Sequence, residues 1–260
     1  MPSPVRKHDA FAAVCHQAGV SVRRYAMIRP GDRLLVGVSG GMDSLLLMHL
    51  LERLRRRAPV PFTVRAATVD MGFAQFNPDA ITAYCRAQGW EHELIRFPGR
   101  DILEAKNAGE RPCPLCSRLR RGQLHAAMDR LDCNVLALGQ HLDDLCASFL
   151  MSLFRGAGLK TMAPHTAADS GRKRLIRPLC ETPKSLIREA AATFAFPPKT
   201  GACDYQAALD AGGDRAWLER HVAELEQHFP GVRHAMLRSF QDLRPAHLLD
   251  SRFLHPEELP

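Results

Sequence analysis

Residues 33–47 read Arg33-Leu-Leu-Val-Gly-Val-Ser39-Gly-Gly-Met-Asp43-Ser-Leu-Leu-Leu47. The apolar run 33–38 is short and uninterrupted, which is typical of a buried strand, and the leucines that follow indicate the start of a helix. A glycine-rich turn between a strand and a helix gathers backbone N–H groups at the positive end of the helix dipole, so it can hold a phosphate group. The alternative is an ordinary strand-to-helix turn in which a serine or aspartate caps the helix.

The alternation of strand and helix continues along the chain. Further strand-like segments lie at 62–70, 91–97, 134–138 and 174–179, and helical segments lie at 43–54, 79–88, 117–131, 142–154 and 182–194. Such spacing predicts an α/β fold, a doubly wound parallel sheet with helices on both faces. We expect three parts, which are a helical segment over 1–30, the α/β domain over 31–200 and a helical extension over 201–260 with helices at 214–228 and 231–243.

Composition and charge restrict the class of protein. Of the 260 residues, 46% are hydrophobic and 24% are charged, which excludes a disordered chain. No apolar run reaches the ~20 residues of a membrane span, and the first residues lack the apolar core of a secretory signal, so we expect a cytoplasmic protein with no membrane partner. Residues 151–200 carry nine Lys and Arg against three acidic residues. This excess predicts a surface that faces a polyanion such as nucleic acid, and chance clustering on a solvated surface is the alternative.

Two of the eight cysteines stand close together. Cys113 and Cys116 come directly before the basic segment Ser117-Arg-Leu-Arg-Arg-Gly122, and a pair with this spacing at a helix start can hold one metal centre. Half of a zinc site and a redox dithiol are the alternatives. No second Cys-x-x-Cys or His-x-x-His exists for zinc, and the glycine-rich turn occupies the place after strand one where a thioredoxin-like dithiol would lie.

The fourth strand ends in Gly139-Gln-His141-Leu-Asp143-Asp144. Ligands of open α/β sheets bind at the carboxyl ends of the strands, so this segment and the glycine-rich turn are expected to face one crevice. Paired carboxylates there can hold Mg²⁺ on a pyrophosphate group. The alternative for Asp143 and Asp144 is a pair of residues that cap a helix.

The turn Ser39-Gly-Gly-Met-Asp-Ser44 resembles the Ser-Gly-Gly-x-Asp-Ser loop of the N-type ATP pyrophosphatases, the PP-loop enzymes. It lacks the spacing of a Walker loop and of the dinucleotide-binding fingerprint. The resemblance implies an adenine nucleotide alpha hydrolase-like fold. It also implies an enzyme that uses Mg²⁺ and splits ATP into AMP and pyrophosphate. The ATP-binding residues that it implies are Ser39, Gly40, Gly41, Asp43, Ser44, Asp70, Gly139 and His141.

A closer resemblance begins at the cysteine pair. The segment Cys113-Pro-Leu-Cys116-Ser-Arg-Leu-Arg-Arg-Gly122 is similar to the C-x-x-C-S-R-L-R-R-G segment of the tRNA 2-thiocytidine synthetase family, and the similarity continues through 137–144, 176–179 and 245–248. It implies an enzyme that adenylates a base carbonyl of tRNA and replaces its oxygen with sulfur. It also implies a cluster-binding insert in which Cys113, Cys116 and Cys203 hold a [4Fe–4S] cluster. Spacing alone does not favour Cys203 over Cys180.

Roles for further residues follow from the same resemblance. The catalytic residues that it implies are Asp43, Arg120, Asp143 and Asp144, with Arg120 between the cluster and the α-phosphate. The predicted contacts to the RNA backbone are Arg118, Arg121, Arg172, Lys173 and Arg174, although a solvated basic loop is an equal alternative for the last three. The expected partners are tRNA, a sulfur donor such as a cysteine desulfurase, and a second copy of the chain in a homodimer.

Four features depart from the family's pattern. Met42 stands where the family usually has Lys, and Gln140 stands where His is common. The segment around Cys203 differs, and the segment 70–73 after strand two is short. Three other functions therefore stay open. They are a divergent paralogue that thiolates another base or a small molecule, a cluster-free adenylating ligase of the same superfamily, and a non-catalytic RNA-binding module with structural zinc.

Overall fold

The computed structural model describes residues 7–106, 112–167, 173–198, 203–205, 207 and 211–253. Its helices are α1 (Lys7–Arg24), α2 (Met42–Arg55), α3 (Pro78–Ala87), α4 (Gly99–Ala105), α5 (Pro112–Arg130), α6 (Leu142–Phe154), α7 (Lys184–Ala191), α8 (Asp214–His228) and α9 (Val232–Gln241). Its strands are β1 (Arg33–Gly37), β2 (Thr63–Asp70), β3 (His92–Arg96), β4 (Val135–Ala137), β5 (His165–Ala167) and β6 (Arg174–Ile176).

The strands form one sheet in the order β3-β2-β1-β4-β6-β5. Neighbouring strands from β3 to β6 pair in parallel, whereas β5 pairs with β6 in the antiparallel direction. The sequence did not predict β5, and this strand makes one edge of the otherwise parallel sheet antiparallel. The physical reason is the length of the connection between β5 and β6, which is too short for the crossover that parallel strands require.

Side chains of β1 alternate between two apolar layers. Leu34 and Val36 pack in the main core with residues of α1, α2, α3 and α7, whereas Leu35 packs on the opposite face with Leu124 and Met128 of α5. Both faces of the sheet are buried, as a parallel sheet requires. The arrangement confirms the predicted doubly wound α/β fold.

Helices from both ends of the chain complete the molecule. α1 packs on α7, and α8 and α9 pack on α6. Leu218 and Val222 are the buried residues of α8, which has the predicted bounds, whereas α9 is shorter than predicted. Within the described ranges, no helix is both long and apolar enough to cross a lipid bilayer.

The order of the strands sets the position of the site. The chain continues from β1 toward the β3 edge of the sheet and from β4 toward the β5 edge. This divergence of two adjacent strands opens a crevice at their carboxyl ends. The turn at 38–44 follows β1 and the segment 138–144 follows β4. The topology therefore brings the two segments to one place.

Candidate active site

The glycine-rich turn is held by its own serines. Ser39 N donates a hydrogen bond to Ser44 Oγ at 3.1 Å, and Ser44 Oγ donates to Gly41 O at 2.9 Å. Gly40 has a φ of +81°, and a Cβ on it would lie 2.7 Å from Ile81 Cδ1, so this position requires glycine. Helix α2 begins directly afterwards at Met42. The turn therefore has the strand, loop and helix N-terminus of a phosphate-binding site.

The segment after β4 lies against this turn. A Cβ on Gly139 would come within 3.0 Å of the Asp43 backbone, so the two segments pack backbone to backbone. His141 caps α6, and its N–H donates to Asp144 Oδ2 at 2.9 Å. The predicted meeting of the two segments is therefore present, and Asp144 also has the capping role that was the alternative to metal binding.

The cysteine pair lies in the first turns of α5, which begins at Pro112, before the predicted start at residue 117. Cys116 and Cys203 pack on one small apolar cluster that includes Met71 and Phe73. Burial, together with the nearby thiols of Cys203 and Cys116, raises the pKa of Cys113. The three cysteines therefore lie together, although Cys203 is distant in sequence.

Two contacts hold the segment 203–205 in this position. Arg100 Nε forms an ion pair with Asp204 Oδ2 at 3.3 Å, and the rings of Phe73 and Tyr205 meet edge to face with centroids 6.4 Å apart. The alternative ligand Cys180 is 1% exposed in the main core, where burial raises its pKa to about 12. The geometry therefore favours Cys203, and not Cys180, as the third cysteine of the group.

One cavity of about 440 Å³ opens onto both groups of residues. Its wall includes Ser39, Asp43, Ser44 and Gly139 as well as Cys113, Cys116 and Cys203. Gly40, Gly41, Asp70 and His141, which were predicted to bind ATP, do not line it. Asp70 ends β2 and accepts a hydrogen bond from Gly72 N at 2.9 Å.

The donor set suits an iron–sulfur cluster better than a single ion. In the part of the chain that the structure describes, no three His, Cys, Asp or Glu side chains are placed to hold one metal ion. Zinc requires four ligands around one ion. A cluster takes thiolate ligands and spans more space than an ion, and three cysteines on one cavity wall fit that requirement.

Arg120 lies one helical turn after Cys116 and lines the same cavity. Burial raises the pKa of Cys116, while the charge and hydrogen bond of Arg120 act in the opposite direction. The buried Nε of Arg120 has no hydrogen-bond partner among the described residues. Buried donors are rarely left unpaired, so a ligand in the cavity is the expected partner of this group.

Each of the three predicted catalytic carboxylates forms an ion pair with a basic residue of α7, α8 or α9. The pairs are Asp43 with Lys184, Asp144 with Arg215, and Asp143 Oδ1 with Arg233 Nε at 2.7 Å. Asp43 lines the cavity, whereas Asp143 and Asp144 do not. Sequence reasoning missed the three basic partners because no local motif marks them.

The predicted RNA contacts other than Arg174 divide into three groups. Arg118 and Arg121 are exposed on α5, and Arg121 also lines the cavity. Lys173 is partly buried and forms an ion pair with Asp129 at 2.6 Å. Arg172 lies outside the described residues.

The prediction for Arg174 is wrong. This residue is 7% exposed, forms an ion pair with Asp32, and donates from Nη1 to Met27 O at 3.1 Å. A guanidinium that is buried and paired inside the protein cannot also contact an RNA backbone. Arg174 instead ties β6 to the turn before β1.

Comparisons with known proteins find relatives over most of the chain. Residues 15–196 match the family model of the PP-loop domain. The chain is 38% identical over 241 residues to a tRNA-cytidine(32) 2-sulfurtransferase of Geobacter sulfurreducens, with 92% of this chain and 93% of the relative covered. It is 37% identical over 251 residues to a protein of the same name from Geobacter metallireducens, with 96% and 97% covered.

A solved structure shares the fold. It is the U34-tRNA thiolase NcsA from Methanococcus maripaludis with its [4Fe-4S] cluster, which matches with a TM-score of 0.71 at 22% identity, over 90% of this chain and 78% of that chain. The matches to the PP-loop model and to the relatives extend over most of the chain. The chain therefore belongs to the PP-loop family and, within it, to the family of the tRNA-cytidine(32) 2-sulfurtransferases.

Proposed function

We propose that this protein is an ATP-dependent and [4Fe–4S]-dependent tRNA sulfurtransferase that converts cytidine 32 of the anticodon loop to 2-thiocytidine. The observation that carries the proposal is that one cavity is lined both by the glycine-rich turn at residues 39–44, here called the phosphate loop, and by the three cysteines. The relatives that are 37% and 38% identical support the reaction and the base. The reaction has two steps, and Arg120 takes part in both.

In the first step the base is activated. A ring carbonyl oxygen is a poor leaving group, so the oxygen at C2 of cytidine attacks the α-phosphorus of ATP. A new O–P bond forms, the bond between the α-phosphorus and the bridging oxygen breaks, and pyrophosphate leaves. The turn around Ser39 and Ser44 holds phosphate oxygens, and Arg120 neutralises the charge that develops on the α-phosphate.

In the second step sulfur replaces oxygen. Sulfur attacks C2, and AMP leaves with the original carbonyl oxygen. Cys113, Cys116 and Cys203 would hold the [4Fe–4S] cluster, and that group, when bound, would hold the incoming sulfur ready for transfer. A donor such as a cysteine desulfurase would supply the sulfur as a persulfide, and a dithiol reductant would release it as sulfide while the dithiol is oxidised to a disulfide. Arg120 lies beside Cys116, so it can position the activated base between the phosphate loop and the three cysteines.

Mg²⁺ would neutralise the charge of the departing pyrophosphate. Asp43 is the predicted carboxylate that lines the cavity, so it is the first candidate for a ligand. Asp143 and Asp144 lie outside the cavity wall, where Asp143 accepts from Lys184 N at 2.8 Å and Asp144 caps α6. In this proposal they fix the ends of α6 and α7 around the site.

The exposed Arg118 and Arg121 extend the basic surface from the cavity wall toward solvent, where they can contact tRNA phosphates. All catalytic groups come from one chain, so the proposal does not require a homodimer. We place the enzyme in the cytoplasm with its tRNA substrate.

The test is the composition and turnover of protein purified without oxygen. The proposal predicts about four irons and four sulfides per chain, and AMP release from ATP that depends on unmodified tRNA. AMP release without iron would favour the cluster-free ligase. Zinc without AMP release would favour the RNA-binding module.

A further inference from the structure

The phosphate loop carries no cation of its own. Residues 39–44 contain neither Lys nor Arg, and Met42 stands at the start of α2 with its side chain exposed. The β- and γ-phosphates of ATP carry most of its negative charge, and proteins usually neutralise that charge with side-chain cations as well as Mg²⁺. A cation that reaches the loop must therefore come from another element.

Lys184 is such a residue. Its Nζ forms an ion pair with Asp43 Oδ1, inside the loop, and Asp43 lines the cavity. Its backbone N–H donates to Asp143 Oδ2 at 2.8 Å. The backbone of Lys184 is thus fixed against the start of α6, and its ammonium group lies beside Asp43 of the cavity wall.

The ion pair between Lys184 and Asp43 is accessible enough to solvent for Lys184 to exchange its partner. The side chains of Lys184 and Asp43 are 22% and 28% exposed, so solvent reaches both. Lysine carries its charge on a flexible stem of four carbons, so rotation about this stem can move Nζ from a carboxylate to a nearby phosphate. The backbone anchor at Asp143 does not restrict this movement.

We propose that Lys184 binds the β- and γ-phosphates of ATP and supplies the cation that the loop lacks. The inference rests on the proposed function and adds an orientation for the nucleotide. Arg120 lies on the cysteine side of the cavity, whereas Lys184 approaches from α7. The α-phosphate therefore faces the cysteines, and the pyrophosphate end faces α7.

The test compares three ligands by calorimetry with the full chain, purified without oxygen, in the presence of Mg²⁺. The ligands are a non-hydrolysable ATP analogue with a methylene group between the α and β phosphates, inorganic pyrophosphate, and AMP. Lys184→Met should weaken binding of the analogue and of pyrophosphate about tenfold, since it removes a charge-assisted hydrogen bond. Binding of AMP should not change.

Two further variants separate a phosphate contact from a structural role. Lys184→Arg keeps the charge and should retain most of the affinity. Met42→Lys, added to Lys184→Met, places an ammonium group in the loop itself and should restore part of the lost affinity. The control is Lys160→Met, which removes an exposed lysine from the loop after α6 and should leave all three affinities unchanged.

The outcomes are distinct. If Lys184→Met is folded and binds the analogue and pyrophosphate as tightly as the natural protein, the role of Lys184 is refuted while the proposed function stands. Equal losses for AMP and for the analogue would also refute it. If the natural protein binds neither the analogue nor pyrophosphate, the proposed function fails together with this inference.

Discussion

Gly40 is the residue on which the shape of the phosphate loop depends most directly. Its φ of +81° is unfavourable for any residue with a side chain, and Ile81 fills the space that a Cβ would need. The Gly40→Ala variant should therefore lose more than about 1 kcal/mol of stability and should bind ATP more weakly. Urea unfolding and calorimetry measure the two effects.

Gly31 provides a matched control for that variant. Its φ is +79°, but a Cβ on Gly31 would meet no atom within 4 Å. Because of the backbone strain, Gly31→Ala should lower the free energy of unfolding by about 1 kcal/mol. The affinity for ATP should not change. Equal effects of the two substitutions on ATP affinity would contradict the assigned role of Gly40.

His49 gives the protein a predictable response to acid. It lies among the rings of Trp90 and Phe194, and burial lowers its pKa from 6.5 to about 4. The folded state therefore resists protonation of His49, whereas the unfolded chain accepts a proton below about pH 6.5. The contribution of His49 to stability is complete above pH 6.5 and is lost as the pH falls toward 4.

The measurement is the free energy of unfolding between pH 7 and pH 4 for the natural protein and for His49→Phe. After allowance for partial solvent screening, the variant should lose about 1–2 kcal/mol less than the natural protein over this range. Identical pH profiles would show that His49 accepts a proton in the folded state as readily as in the unfolded chain.

At the level of elements, the buried pair of Arg174 and Asp32 connects β6 to the turn before β1. Removal of one partner leaves a buried charge without compensation, so Arg174→Met should lower the free energy of unfolding by about 3–5 kcal/mol. The more accessible pair of Lys173 and Asp129 should contribute no more than about 1 kcal/mol, which makes Lys173→Met the control. If Arg174→Met lowered the affinity for tRNA without loss of stability, the assignment of Arg174 to the core would be wrong.

Elements with a clear periodic pattern or a distinct apolar run could be predicted from the sequence, whereas short elements without either could not. Helix α6 and helix α8 have the predicted bounds, because each presents apolar residues at helical spacing between clear end signals. The seven-residue α4 and the three-residue β5 were not predicted, because neither is long enough to show a period. β5 is specified by its pairing with β6, which is a tertiary interaction.

At the level of the whole molecule, the two loops of the site could be predicted because each directly follows a strand. The topology of the sheet then decides that they meet. The basic partners of the carboxylates could not be predicted, because Arg215 and Arg233 reach them only through the packing of α8 and α9 on α6. Which cysteine joins Cys113 and Cys116 likewise depended on the resemblance until the structure placed Cys203 beside them.

The most direct test of sulfur transfer is the 2-thiocytidine content of tRNA after reaction with ATP and a sulfide source without oxygen, measured by mass spectrometry. The natural protein and Cys180→Ala, which removes a buried thiol away from the cavity, should both form 2-thiocytidine. Cys203→Ala should form none while it still binds ATP. Formation of 2-thiocytidine by Cys203→Ala at the natural rate, or its absence with the natural protein, would contradict the account.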